Sequence, residues 1–286
     1  MNFFREETST NTIHLTDEQM LITAPSIFAD RPDHKVTSKY GFVPTVQMID
    51  ALRNEGWYPV DATQKNVRIK EKSLFTKHLV RFRRLDDDII IGDNDSVVEL
   101  LLTNSHDRSS SFNLHAGVFR VACANDLVIA DSTFAKITST HTINTVARIV
   151  RGSHEVLREV PKITCGIESM MKIKLSQAER EIFAKSALSI ILPEPKEGDA
   201  VIVSSQDNLV AQMLGPKRQA DTNHDLWSTF NVIQEKALRG GLRIIKQKPG
   251  VRSKRSTTRE VKAIDKNIKL NKALWQMAEL MKTLKS

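Results

Sequence analysis

Cysteine is almost missing from this sequence: among 286 residues only Cys123 and Cys165 carry a thiol. Their spacing suits neither a metal site nor a disulfide framework, so buried thiols in a reducing compartment are expected. Aromatic residues amount to 6%, which leaves few rings for stacking on bases once a core has been filled. No apolar run approaches the roughly 18–20 residues of a membrane helix. The first residues carry acids early and have no apolar centre, so a secretory signal is not expected. Neither a Walker A nor a Rossmann glycine pattern occurs, which argues against ATP-driven or dinucleotide chemistry. His106, Asp107, His115 and the run Ser109-Ser110-Ser111 lack the glycines of a nucleophile elbow and read as a polar loop. The expectation is a soluble, cytoplasmic protein with no cofactor, no membrane partner and no enzymatic motif.

What the chain has in excess is positive charge, and it is concentrated. Lys and Arg total 42 against 34 Asp and Glu, a net charge of +8. Residues 236–272 alone carry thirteen Lys and Arg against Glu260 and Asp265, a local +11, so the remainder is −3. A mixed-sign solvated surface does not show that imbalance, and a local basic block asks for a polyanionic partner. Arg243, Lys246, Lys248, Arg252, Lys254, Arg255 and Arg259 are the first candidates for phosphate contacts, with Ser253, Ser256, Thr257 and Thr258 as added hydroxyl donors. Helices with apolar stripes are expected on both sides, from Asn223 to Leu238 and from Leu270 to Leu284. The block therefore reads as a tethered basic loop, free only over about Gly250 to Thr258.

Along the chain, residues 1–38 read as an N-terminal arm, because Ala24-Pro25 and Arg31-Pro32 oppose a long helix. Pro44 and Gly56 bracket a short amphipathic helix with Val46, Ile49 and Leu52 on one face. Alternation then predicts a strand over Lys77–Arg84, and further strands are expected over Val97–Leu102 and Phe112–Ala124. A helix from Thr142 should end at Pro161, and a second should run from about Ile163 to Leu175. Ser176 with Glu179 is a capping box for the next helix, to about Leu192. Another is expected over Ser205–Leu214. Strands grouped ahead of helices give an α+β class, an antiparallel meander on a long helix followed by a helical C-terminal region. The domain reading is an arm at 1–38, an α+β core at 39–192 and a helical region with the basic loop at 193–286.

Other constellations are weaker. Arg148, Arg151 and Arg158 share one helical face with Glu155. Lys77, Arg81 and Arg83 share one side of a strand, and Arg120 joins them from a later strand; that face either tracks a phosphate backbone or is simply solvated. Trp57, Trp227, Phe230 and Trp275 lie in amphipathic patterns and read as core, which leaves Tyr40 and Tyr58 as stacking candidates. Asp86, Asp87, Asp88, Asp93 and Asp95 offer carboxylates to a hard cation, but acid-rich turns are common and no EF-hand glutamate closes the pattern, so no metal is expected.

Two stretches carry a resemblance: Tyr40–Trp57, with Val43-Pro44-Thr45 and Gly56-Trp57, and Asp225–Trp275, with Leu226-Trp227-Ser228-Thr229-Phe230-Asn231, Gln234-Glu235 and Arg239-Gly240-Gly241. Together with Asn125-Asp126-Leu127 they resemble the phage/plasmid-like protein family, domain of unknown function 932, over about residues 38–284. That resemblance implies a mobile genetic element and no particular activity. The order helix–Gly–Trp, meander, long helix is also similar to the β-β-β-α core of single-strand annealing recombinases. This second likeness is topological. It implies a homo-oligomer, in ring form by analogy, holding single-stranded DNA in a groove lined by Arg81, Arg83, Arg148 and Arg151. The function expected on these grounds is single-stranded DNA binding and annealing, with duplex DNA or RNA as other partners. A metal-dependent nuclease and an anti-defence or interaction protein are the alternatives.

Overall fold

A computed structural model describes residues 14–36, 41–84, 90–91, 96–120, 125–127, 137–139, 144–192, 200–248 and 250–285. The fold is α+β. Strands β1 (Tyr58–Gln64), β2 (His78–Arg83), β3 (Ile90–Ile91), β4 (Ser96–Asn104), β5 (Phe112–Arg120), β6 (Asn125–Leu127) and β7 (Ile137–Ser139) form one sheet. Its order is β1-β2-β4-β5-β6, with β3 on β4 and β7 on β5. The chain divides into two compact units, one of Met1–Asp86, Glu99–Leu114 and Ile137–Ser153, the other of Asp87–Val98, His115–Lys136 and His154–Ser286.

The first unit is built on β1, β2 and the paired part of β4. Leu79 to Phe82 meet Thr103 to Leu100 across an antiparallel ladder. Both faces are covered: β2 alternates, yet five of its six residues are buried. One cover is helix α2 (Thr45–Asn54), which buries Met48, Ile49 and Leu52. It ends as the sequence indicates, with Gly56 at φ +82° and the Trp57 amide on the Leu52 carbonyl at 2.9 Å; Pro44, however, is its cap residue and not its first turn. The stretch expected as an arm is folded from residue 14 onward. Helix α1 (Asp17–Thr23) opens on a Thr16/Gln19 capping box, a 3₁₀ turn Pro25–Phe28 follows, and Met20 and Ile27 are fully buried. Burying those two side chains is worth about 3–6 kcal/mol, enough to hold a short helix that has no stability alone.

Helix α3 (Thr145–Lys172) runs 28 residues with Pro161 inside it, where the sequence predicts a break. Proline costs a helix interior about 3 kcal/mol. Here the apolar stripe continues across it, with Val156, Val160, Ile163, Ile167 and Met170 all buried, and that burial outweighs the lost hydrogen bond. In the first unit α3 lies so close to its sheet that a Cβ on Gly152 would collide with Ile137 and come within 3.2 Å of Leu114. Cys165 is exposed, against the expectation of a buried thiol; Cys123 lies outside the described residues.

The second unit is organised around helix α6 (Leu226–Arg239), whose residues from Leu226 to Glu235 are all buried. Helices α4 (Gln177–Ile191), α5 (Gln206–Leu214) and α7 (Ile264–Lys285) pack on it. Phe230 stacks on Trp227 at 5.7 Å between centroids and meets Trp275 edge-on at 5.8 Å, so the tryptophans are core, as their patterns indicate. The cap of α6 is Asp225, which accepts from the Ser228 amide at 2.8 Å, two residues beyond the expected Asn223. Among the described residues no helix is long and apolar enough to cross a membrane.

Candidate nucleic-acid interface

The basic block folds as a hairpin, where the sequence suggests a loop. Strand β9 (Arg243–Gln247) pairs with β10 (Lys254–Thr257) on one side and with β8 (Val201–Ile202) on the other. The turn uses Gly250 at φ +70°. The base of the hairpin is seated on the end of α6 through Gly240 and Gly241, at φ +71° and +86°. The Gly241 amide donates to the Thr258 carbonyl (2.9 Å), the Thr258 amide to Leu242 (2.9 Å), and the Val261 amide to Leu238 (2.8 Å). A sequence cue existed in Leu242 and Ile244, two apart and both buried, with Ser256-Thr257-Thr258 starting six residues after Gly250. Charge on the intervening positions hid it.

Register sorts the cations by face. Lys246 lies opposite Lys254, and Arg255 opposite Ile245. Opposed residues of a ladder lie about 5 Å apart, where two unscreened like charges in water repel by about 1 kcal/mol; a phosphate between them reverses that sign. Arg243, Lys246, Lys248, Arg252, Lys254, Arg255 and Arg259 are all exposed. None has an acidic partner among the described residues. Lys246 and the buried Ile244 line a cavity of about 1330 Å³ between α4, α7 and the small sheet, together with Lys185, Lys262, Lys266, Lys269 and Glu260.

One acid of this unit is enclosed by cations. Glu235 is buried and accepts from Arg218 (2.9 and 3.2 Å) and from Lys217 (3.2 Å). Burial works to raise its carboxyl, but those hydrogen bonds outweigh burial and hold it below the usual range. Burial, then Lys217, holds the Lys236 ammonium below the ordinary lysine range.

The other candidates separate. Arg148, Arg151 and Arg158 are exposed along α3. Arg81 and Arg83 are not a solvated cationic face. Arg81 is 7% exposed, and Glu99, at 2%, accepts from Arg81 Nε at 2.8 Å and from Arg83 Nη2 at 2.6 Å. A buried carboxylate shared by two guanidiniums leaves little charge to offer a phosphate. Lys77 is half-buried. Arg120 ends β5, and its side chain lies outside the described residues, as do Asp86, Asp87, Asp88, Asp93, Asp95 and Tyr40. Among the described residues no cluster of three His, Cys, Asp or Glu could hold a metal. Tyr58 stacks face to face on His14 at 4.5 Å. Burial, then Arg83, keeps that imidazole below its usual pKa.

One polar cluster in the first unit leaves no signal in the local sequence pattern. Thr45 is fully buried at the start of α2, and its hydroxyl meets His78 Nε2 (2.8 Å), His106 Nε2 (3.2 Å) and Asn104 Nδ2 (3.0 Å). Ser26 Oγ lies 2.9 Å from His78 Nδ1. A hydroxyl has one proton and two acceptor sites. Asn104 donates into one, so one imidazole donates into the other and the second accepts the Thr45 proton. Ser26, His78, Asn104 and His106 are at 0% exposure, so the cluster pins the N-terminal segment, α2, β2 and β4 together and is closed to a substrate.

Residues 34–275 match the profile of the family described as Domain of unknown function (DUF932). The chain is 34% identical over 269 residues to UPF0380 protein YafZ of Escherichia coli (strain K12), covering 94% of this chain and 92% of that protein. It is equally similar, 34% over 269 residues with the same coverage, to UPF0380 protein YfjQ of the same organism. No solved structure matches it significantly.

Proposed function

The chain belongs to the DUF932 family, whose description assigns no activity, and from its own geometry we propose that it is a nucleic-acid-binding protein. The observation that carries this reading is the β9–β10 hairpin: seven exposed cations, no acidic partner among the described residues, and two lysines held opposite one another by register. A polyanion relieves that repulsion and releases its own counterions on binding.

The partner we propose is single-stranded DNA, and the activity is strand annealing in the cytoplasm of a cell carrying a mobile element. Support for annealing is topological: α2, then β1, β2, β4 and β5 antiparallel, then α3, with Arg148 and Arg151 exposed on that helix. Homo-oligomerisation is part of the same reading. Arg81 and Arg83 are left out of the binding surface, because the buried Glu99 engages both and Asp61 lies 3.9 Å from Arg81. Phosphate contacts dominate, since no aromatic side chain is among the exposed large hydrophobics of the described residues.

Titration of a labelled oligonucleotide across salt tests this. Each neutralised phosphate on a single strand contributes about −0.7 to the log–log slope. Wild-type chain should bind with a slope of about −3 or steeper, and the triple variant Arg252→Ala, Lys254→Ala, Arg255→Ala should lose about 2 units of it. A flat slope, or no binding of any labelled strand, refutes the reading. Light scattering that shows a plain monomer, with and without DNA, refutes the oligomer.

A further inference from the structure

The two faces of the small sheet are chemically different, and the difference distinguishes how a strand would lie on it. Period-two alternation puts Arg243, Ile245 and Gln247 of β9 on the face away from Ile244. Register adds Thr257 opposite Arg243, Arg255 opposite Ile245 and Val201 opposite Gln247. The Val203 amide donates to the Ile245 carbonyl at 2.9 Å, which carries the β8 backbone one residue further along the same ladder and brings Val203 beside Ile245. This outer face therefore holds a contiguous group of three aliphatic side chains, Val201 and Val203 two apart along one segment and Ile245 across from Val203, exposed by 45%, 47% and 38%. Arg243 and Arg255 flank them, exposed and without an acidic partner among the described residues.

β-branched residues on a solvent face are favoured by strand propensity, yet a contiguous aliphatic group with arginines at its edge is a surface built to lose water. The charge selects the occupant. An acidic protein helix would satisfy the arginines but offers no planar apolar face for a shallow sheet to cover. A double helix offers phosphates, while its base faces are stacked inside. A single strand offers both: phosphates for the guanidiniums and unstacked base faces for the methyl groups.

Resting on the nucleic-acid reading above, we infer that the outer face of the β8-β9-β10 sheet is the single-strand-selective part of the interface. Bases lie against Val201, Val203 and Ile245, and Arg243 and Arg255 take the flanking phosphates. The lysine face, Lys246 and Lys254, adds attraction that does not distinguish single from double strands. Aliphatic contact reads no base edge, so the preference is for strandedness and not for sequence.

The test uses the full chain and two fluorescein-labelled probes, an oligothymidylate and a duplex of the same length. Ile245→Ser keeps the charge and removes the cross-strand member of the aliphatic group. It should weaken oligothymidylate binding by about fivefold, leave duplex binding and both salt slopes unchanged, and so lower the single-strand preference. Arg255→Ala should weaken both probes and reduce the single-strand slope by about 0.7. Lys246→Ala with Lys254→Ala should weaken both probes equally. In a methyl-labelled sample, oligothymidylate should shift the Val201, Val203 and Ile245 methyl resonances upfield, because a base ring above a methyl shields it. The inference is overturned if Ile245→Ser binds both probes as wild type does and those methyls do not move. In that outcome a loss confined to the lysine variant leaves the nucleic-acid reading standing, whereas wild-type chain that binds neither probe ends both.

Discussion

Gly240→Ala is the substitution that isolates how the basic hairpin is held. Two separate physical costs meet at this glycine. Its backbone sits at φ +71° and ψ −144°, a region used essentially by glycine alone, where another residue is strained by about 1–3 kcal/mol. In addition, a Cβ built there would lie 2.6 Å from the Thr258 carbonyl oxygen and 2.8 Å from the carbonyl of Arg259. Those are backbone atoms, so relief requires that the β10 end move away from α6. Moving it breaks the Gly241–Thr258 and Thr258–Leu242 hydrogen bonds, each worth about 1 kcal/mol. The total is about 3–5 kcal/mol, localised at the hairpin base. Gly241 is the internal control. It has φ +86° but nothing within 4 Å of a built Cβ, so Gly241→Ala should cost only the backbone term, about 1–2 kcal/mol. Native-state amide hydrogen exchange measures the difference. In Gly240→Ala the Thr258 and Val261 amides should exchange at least about 100-fold faster, since about 1.4 kcal/mol corresponds to tenfold, while amides in the middle of α6 keep their protection. If Gly240→Ala proves no worse than Gly241→Ala, the close approach does not hold the hairpin and the reasoning fails.

Three further outcomes are expected. Glu99→Ala should destabilise the first unit by about 3 kcal/mol in urea unfolding, because it removes the buried carboxylate that accepts from both guanidiniums; replacing all three groups with apolar residues of similar volume should recover most of that loss. Pro161→Ala should leave the fold intact and raise stability by about 1–3 kcal/mol, since it restores a missing backbone donor inside α3, and a thermal unfolding midpoint below wild type would count against a continuous helix. Glu179 accepts from Lys285 at 2.9 Å and from the Ser176 amide at 2.7 Å, and these bonds, Lys285 first, pull its carboxyl down to about 2 from 4.5. A depressed carboxylate stabilises the fold above its unfolded pKa, so this contribution should be complete above about pH 4.5 and lost as pH falls toward 2; Lys285→Ala should flatten that acid limb, and an unchanged pH profile would refute the coupling of α7 to the start of α4.

Much of the architecture lay in local pattern. The Ser176/Glu179 capping box, the stop at Gly56 and the period-two run of β2 are decided within a few residues, by hydrogen-bond geometry and side-chain alternation. So is the concentration of charge at residues 236–272. Elements whose existence depends on distant partners were not legible in that way. Pro161 reads as a helix end because its local cost is visible and the packing of Ile163 and Ile167 that offsets it is not. Helix α1 and its 3₁₀ turn exist because Met20 and Ile27 find cover.

The candidate site divides along the same line. By itself the sequence determined that the chain carries a dense, unbalanced cationic segment between two amphipathic helices, since net charge is a sum over residues and needs no fold. Only the tertiary structure decided which cations remain available. Glu99, eighteen positions from Arg81, takes two arginines out of play across a strand ladder. Pairing of β9 with β10 turns the block into a hairpin and separates lysines from arginines by face. Those outcomes follow from register, and register is fixed by contacts between residues that no local reading brings together.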